Sequence, residues 1–260
     1  MVISGGNIKV TTTGTNGEGI ESKNYLNING GEIYVNAYDD GINSAQDMNI
    51  NGGYVYAQST NNDGLDANGN LYINGGLVYA IGARSPELAI DANSEEGKKV
   101  YINGGVVIAV GGIENSRVIN QPYIQSSSIS SNSWYTVTYG DNAVAFQTPT
   151  ISTGGGPGGG PGGGGPGGGG PGGSSSATFI SAPTTPSLAT GNNITGGTSF
   201  FEGNCYVDDN GNLVIEEVEC SEQIKDPRVF TIEGRCLGTE VPTTFRGIYI
   251  QNGEKHIKIR

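Results

Sequence analysis

The 260-residue chain predicts an all-β fold: a right-handed parallel β-helix of about five coils, followed by a Gly/Pro-rich segment and a small antiparallel β domain. Three observations carry that prediction. A Gly-Gly pair, preceded by Asn in all copies but the first, recurs with its leading glycine at Gly5, Gly30, Gly52, Gly75 and Gly104, at spacings of 25, 22, 23 and 29. A period of this length belongs to a solenoid whose units cannot bury their apolar faces alone. Within each unit aliphatic residues alternate with polar ones, as in Leu26, Ile28 and then Ile33, Val35, which is the period of a strand, and no segment shows the i, i+3, i+4 spacing of a helix. Aligned copies then give four aliphatic columns: Met1/Leu26/Met48/Leu71/Val100, Ile3/Ile28/Ile50/Ile73/Ile102, Ile8/Ile33/Val55/Val78/Val107 and Ile20/Ile42/Leu65/Ile90/Ile119. Stacked about 4.8 Å apart, these columns fill a narrow tube roughly 24 Å tall. Right-handedness follows the general rule for parallel crossovers.

The coils occupy residues 1–125. The corner between the first two strands of each coil needs positive φ, which glycine adopts freely and asparagine tolerates. Asn29, Asn51, Asn74 and Asn103 fall above one another there, and their amides can hydrogen-bond along the stack. Residues 126–153 read as a closing hairpin, Trp134 to Tyr139 and Ala143 to Phe146 around Gly140-Asp141-Asn142, suited to covering one open end of the tube. Residues 154–173 are sixteen glycines and four prolines, a linker or extended spacer with no side chains for a core. Residues 174–260 read as a cap strand from Ala177 and then short strands joined by Asn-Gly-type turns. Asp208-Asp-Asn-Gly has Tyr206 where an EF-hand loop needs an acid, so it reads as a hairpin turn.

A net charge of −12 argues against nucleic acid and anionic membrane surfaces as partners, both being polyanions. No apolar run approaches the roughly 18 residues of a membrane span, so no membrane insertion is expected. No charged-then-apolar leader precedes the first coil, and Met1 sits on a repeat position, the pattern of a mature or excised piece. Cys205, Cys220 and Cys236 are disulfide candidates, an odd set that leaves one thiol over. Their spacing and the single histidine, His256, argue against a zinc site.

The Asn-Gly-Gly coils with Asp39-Asp-Gly-Ile-Asn-Ser44 and Asn62-Asp-Gly-Leu-Asp-Ala67 resemble the bacterial carbohydrate-binding β-helix family, whose members share the overall plan of pectate lyases. Phe179-Ile-Ser-Ala-Pro, Leu188-Ala-Thr-Gly and Gly196-Gly-Thr resemble that family's end segment, so the likeness covers residues 1 to about 200. It implies an extracellular or cell-surface, calcium-containing, non-catalytic module that binds acidic or plant-type polysaccharide. By motif position the calcium ligands would fall on the acidic corners. Stacking puts Glu18, Asp40 and Asp63 in one column and Glu21, Asn43, Asp66 and Asp91 in another, with Asp39 beside them. Like charges that close repel, and a hard cation would convert the repulsion into a cross-link. The alternative is a solvated acidic ridge. Copies one, four and five depart from the motif, at Glu18, at Leu88-Ala-Ile-Asp91 and at Arg117-Val-Ile-Asn120.

Three classes of function compete. Catalysis needs a base or paired carboxylates facing a cleft, and Arg84 is the one candidate base among the repeats. For a polysaccharide-binding module, Tyr34, Tyr56 and Tyr79 share one outward column and Tyr54 lies in its neighbour, an aromatic strip suited to sugar rings. Stacked tyrosines also stabilise a sheet by themselves. A self-assembling subunit of a homo-oligomer or filament would use the same strip, the first coil's open edge, the Gly/Pro run and the leftover cysteine as contacts.

Overall fold

A computed structural model describes residues 1–83, 86–127, 129–150 and 177–208, and beyond them 229–231, 236–238, 240–242, 247–251 and 254–258. The Gly/Pro run 154–173, most of the turn after Asp208, Arg84 and Cys220 lie outside the described residues. Contacts divide the chain into one unit from Met1 to Glu217 and another from Val218 to Arg260.

The repeats form three parallel sheets. The first joins Val2–Ile3, Leu26–Ile28, Met48–Ile50, Leu71–Ile73, Val100–Ile102 and Arg117–Ile119. The second stacks Asn7–Thr11, Glu32–Ala37, Tyr54–Ser59, Leu77–Ile81 and Val106–Val110, and the third Ile20–Ser22, Ile42–Ser44, Leu65–Ala67 and Ile90–Ala92. The expected parallel β-helix is therefore present, as four complete three-stranded coils and a partial fifth whose third side is a single bridge from Ile113 to Ile90. That bridge corrects the alignment of the last repeat: Ile119 pairs with Ile102 in the first sheet, not with Ile90. Leu26, Ile28, Ile33, Ile42, Met48, Ile50, Leu65, Leu71 and Ile73 are wholly inaccessible inside the tube, whereas Met1, in the same column, is 52% exposed on the terminal coil.

Glycine is obligatory at the first corner because the second residue of each pair has φ between +79° and +99°, at Gly6, Gly31, Gly53, Gly76 and Gly105. A Cβ on Gly76 would stand 2.4 Å from the carbonyl oxygen of Gly53. The asparagines before the pairs, continued by Asn120 of the last strand, form the amide ladder: Asn51 donates to Asn29, Asn74 to Asn51, Asn103 to Asn74 and Asn120 to Asn103, at 2.7 to 2.8 Å.

The end of the tube is closed by Thr178–Ser181, which runs antiparallel between Val106–Val110 and Tyr123–Ser126. Phe179 is fully buried among the tube's aliphatic residues and plugs it. The hairpin Trp134–Tyr139 with Asn142–Gln147 has another role than the one expected. With Ser187–Thr190, Cys205–Val207 and Thr198–Phe200 it makes a five-stranded antiparallel sheet whose Tyr135, Val137, Tyr139, Val144 and Phe146 pack on the outer side of the second solenoid sheet. It covers a flank, not an end. Strands 198–207 consequently belong to the first unit rather than to a separate C-terminal domain. A latch holds the two layers: Glu32 accepts a bond from the backbone N–H of Phe201 (3.0 Å), Lys9 pairs with Glu202, and Phe200 stacks on Tyr54.

The second unit is a four-stranded antiparallel sheet of Cys236–Gly238, Val229–Thr231, Gly247–Gln251 and Glu254–Lys258, as the hairpin-rich tail predicts. Of the disulfide candidates, Cys205 is a free, buried thiol beneath the five-stranded sheet, and the other two side chains lie outside the described residues.

Phe179→Ala removes the plug and should cost about 3 to 5 kcal/mol of unfolding free energy. Gly76→Ala, forced into positive φ against a carbonyl, should destabilise by more than about 1 kcal/mol. Urea melts of both variants against wild type measure these losses.

Candidate functional site

The corner leading into the third sheet is acidic because its residues repeat. In-register pairing of Ile20, Ile42, Leu65 and Ile90 stacks Glu21, Asn43, Asp66 and Asp91 one strand apart, with Glu18, Asp40 and Asp63 in the turn before them. Glycine at 41 and 64 lets the corners nest: a Cβ there would meet the next coil's carbonyl oxygen at 2.4 and 2.6 Å.

Hydrogen bonds tie the turn together from coil to coil. One oxygen of Asp40 accepts from the N–H of Asp63 (3.1 Å), and Asp63 accepts in turn from the N–H of Leu88. Asn43 donates to Asp40 (3.0 Å) and Asp66 (3.3 Å). Each of Asp63, Asp66 and Asp91 offers a carboxylate oxygen, and the three atoms lie within 4.8 Å of one another. Of the other expected ligands, Asp39 accepts from Asn62 (2.9 Å) and Glu21 pairs with Lys23, so both are turned to other partners. Glu18 stands at the flank near Asp40.

Burial raises every one of the central carboxyls. It lifts Asp63 to about 7, against a bond from the Leu88 N–H and with help from Asp66, Asp40 and Glu87. Asp66 also rises to about 7, through burial and then the charges of Asp40 and Glu18. Asp91 rises well above the carboxylate range, through burial and its hydrogen bond with Glu114. Asp40, Glu18 and Glu87 move up for the same first cause.

One Asp91 oxygen and one Glu18 oxygen are buried with no hydrogen-bond partner. Orphaned acceptors amid raised carboxyls are what a hard, oxygen-seeking cation would satisfy, so Asp63, Asp66 and Asp91 fit a divalent ion of the calcium kind.

Glu87 and Glu114 were not among the expected residues. Glu114 follows the Ile90–Ile113 bridge, and Gly112-Ile113-Glu114 repeats the Gly-aliphatic-polar order of Gly41-Ile42-Asn43 and Gly64-Leu65-Asp66. That order was the available signal.

The tyrosine strip is corrected. Tyr79 is wholly buried, donates to the Gln147 carbonyl (2.7 Å) and meets Phe146 edge-on. Tyr56 is 4% exposed, under Phe201. Tyr34 stacks on Tyr56 at 4.7 Å and Tyr54 lies against Phe200, both half-buried. Tyr34 and Tyr56 turn their faces to each other, Tyr79 meets Tyr56 edge-on, and the covering sheet takes what remains, so this strip is an internal seam and not a sugar platform. The sign of it in the sequence is Leu77-Val-Tyr-Ala-Ile81 and Val106-Val-Ile-Ala-Val110, apolar at every position, as strands buried on both faces are.

Among known proteins, the sequence model of a family described as carbohydrate-binding domain-containing proteins matches residues 1–153. No curated protein and no solved structure matches the chain.

The cluster sets a pH dependence. A carboxyl whose folded pKa lies above its unfolded value, near 4, binds more protons in the folded state between those pH values, so stability falls as pH rises through that window. In the presence of chelator the melting temperature should decline from pH 4 to pH 8, and Asp91→Asn should flatten the decline. Thermal melts across that range test it; a profile that rises towards pH 8 would contradict the assigned shifts.

Proposed function

The chain belongs to the family of carbohydrate-binding domain-containing proteins, and from that premise we propose that it is a non-catalytic, calcium-binding β-helix that holds polysaccharide outside the cell. The observation that carries the reading is the extent of the match. Residues 1–153 take in every coil of the solenoid, so the family's defining unit and the stacked coils are one piece of chain.

Calcium is supported by the Asp63, Asp66 and Asp91 cluster and the partnerless Asp91 oxygen. Its part is to bind adjacent coils through their carboxylates and relieve the repulsion of stacked acids. Extracellular modules work with calcium at 10⁻⁴ to 10⁻³ M affinity, which suits one buried and two half-buried acids and a location outside the cell. A non-catalytic role is supported by the make-up of the matched region: its carboxylates are stacked on one another, and the chain's single histidine, His256, lies beyond it. The net charge of −12 disfavours a polyanionic glycan and favours a plant-type chain of low charge.

Calcium added to chelator-treated protein should raise the melting temperature, and Asp66→Asn should weaken calcium binding at least tenfold by calorimetry. An unchanged melting temperature would remove the metal from the reading. For the glycan, affinity electrophoresis through gels containing soluble polysaccharides should retard the wild-type protein; free migration through a panel of neutral and acidic polymers would overturn the function itself.

A further inference from the structure

The three flanks of the solenoid have different fates. The outer side of the second sheet is buried beneath the five-stranded sheet, and that of the third carries Glu21, Asp66, Asp91 and Glu114. The first sheet differs from both. Its outward column runs Asn27, Asn49, Tyr72, Tyr101, Val118 in unbroken register and without a charge; every member is half-buried, and Tyr72, Tyr101 and Val118 join neither apolar cluster of the described residues. Two residues beyond each member of that column, on the same side of the sheet, stands the amide ladder Asn29, Asn51, Asn74, Asn103, Asn120, one amide per coil.

We propose that this face is the polysaccharide site, and that its occupant is an uncharged glycan lying along the solenoid axis over Asn27, Asn49, Tyr72 and Tyr101 and beside the asparagine ladder. The proposal rests on the polysaccharide-binding reading and gives that reading a place and a chemical class.

Amide bonding capacity supports it. An asparagine offers two N–H donors and two acceptor lone pairs, and each ladder rung uses one of each. Asn49 donates to Asn27 (3.0 Å) in the same way as the corner amides bond one another. Each coil therefore presents one unused donor and one unused acceptor at a repeat of about 4.8 Å, on a face with solvent access. A sugar hydroxyl is both donor and acceptor and satisfies such an array. A carboxylate only accepts, and this column holds no cation to pair with it.

The aromatic part is consistent with the same occupant. Tyr72 and Tyr101 stack at 4.7 Å with their planes 12° apart, so each shields one face of the other. The ring edges remain for the C–H surface of a sugar ring. With Val118 next in the column, the pair forms the apolar part of a face whose other members are asparagines.

The test is affinity electrophoresis of wild type, Tyr101→Ala and Asn49→Arg in gels containing hydroxyethylcellulose, xyloglucan, galactomannan or alginate. Circular dichroism and thermal melts check each variant's fold. The expected result is retardation of wild type by at least one neutral polymer, with apparent affinity reduced at least tenfold in both variants. Asn49→Arg, a surface change, decides the matter if Tyr101→Ala does not fold. Retention of wild type with undiminished binding in the folded variants would overturn the face. Retention by alginate alone would overturn the uncharged occupant. Failure of wild type to be retained by any of the four would sink the functional reading on which the site depends.

Discussion

Each coil hydrogen-bonds its backbone to the next in strict register, and the remainder of the architecture follows from that constraint. The N–H groups of Asn29, Asn51, Asn74 and Asn103 each donate at 2.7 Å to the residue one coil below, Ile3, Ile28, Ile50 and Ile73. A side chain in such a stack meets its own counterpart one strand away, about 4.8 Å off. For aliphatic residues this gives a continuous core. Amides gain a ladder and tyrosines a stacked seam. Carboxylates gain repulsion, and at the third sheet that repulsion is left standing inside the protein.

The acidic corner therefore differs in kind from the other columns. Asp40 and Asp63 are structural, each accepting a backbone N–H from the coil above. Asp66 and Asp91 have no such backbone bond to offset burial, and one Asp91 oxygen has no partner at all. A fold of ordinary stability tolerates a few such groups, but their cost grows as they ionise. A divalent cation would reverse the sign of that contribution, which is why the same residues read both as a weakness and as a candidate site.

Solenoids must also dispose of their edges and ends. At the far end an antiparallel strand from residues 178–181 completes the second sheet while Phe179 fills the lumen. The flanking sheet then covers the aromatic side, secured by the turn at Phe201–Gly203, where Phe201 and Glu202 both hold positive φ (55° and 57°). Two adjacent non-glycine residues in that region carry strain, which the burial of Phe201 and the bond to Glu32 offset. Among the described residues, what stays open is a neutral polar flank on the first sheet and an acidic one on the third.

Periodicity alone determined the coil, its inward columns, the glycine corners and the amide ladder, because each is a local rule repeated at a fixed spacing. The acidic columns were legible for the same reason, except at the last coil, where an irregular repeat length hid Glu114 behind the wrong partner for Ile90. Which outward face stays open was decided only by tertiary structure. Tyr56 and Tyr79 point out of the coil as the alternation requires, yet residues between 135 and 146 and between 180 and 207 return to bury them. Alternation specifies the side of a strand on which a residue lies; it does not specify what another part of the chain will lay upon that side. The same limit explains the disulfide candidates: sequence counts cysteines, but only packing placed Cys205 as a free thiol in a sealed interior.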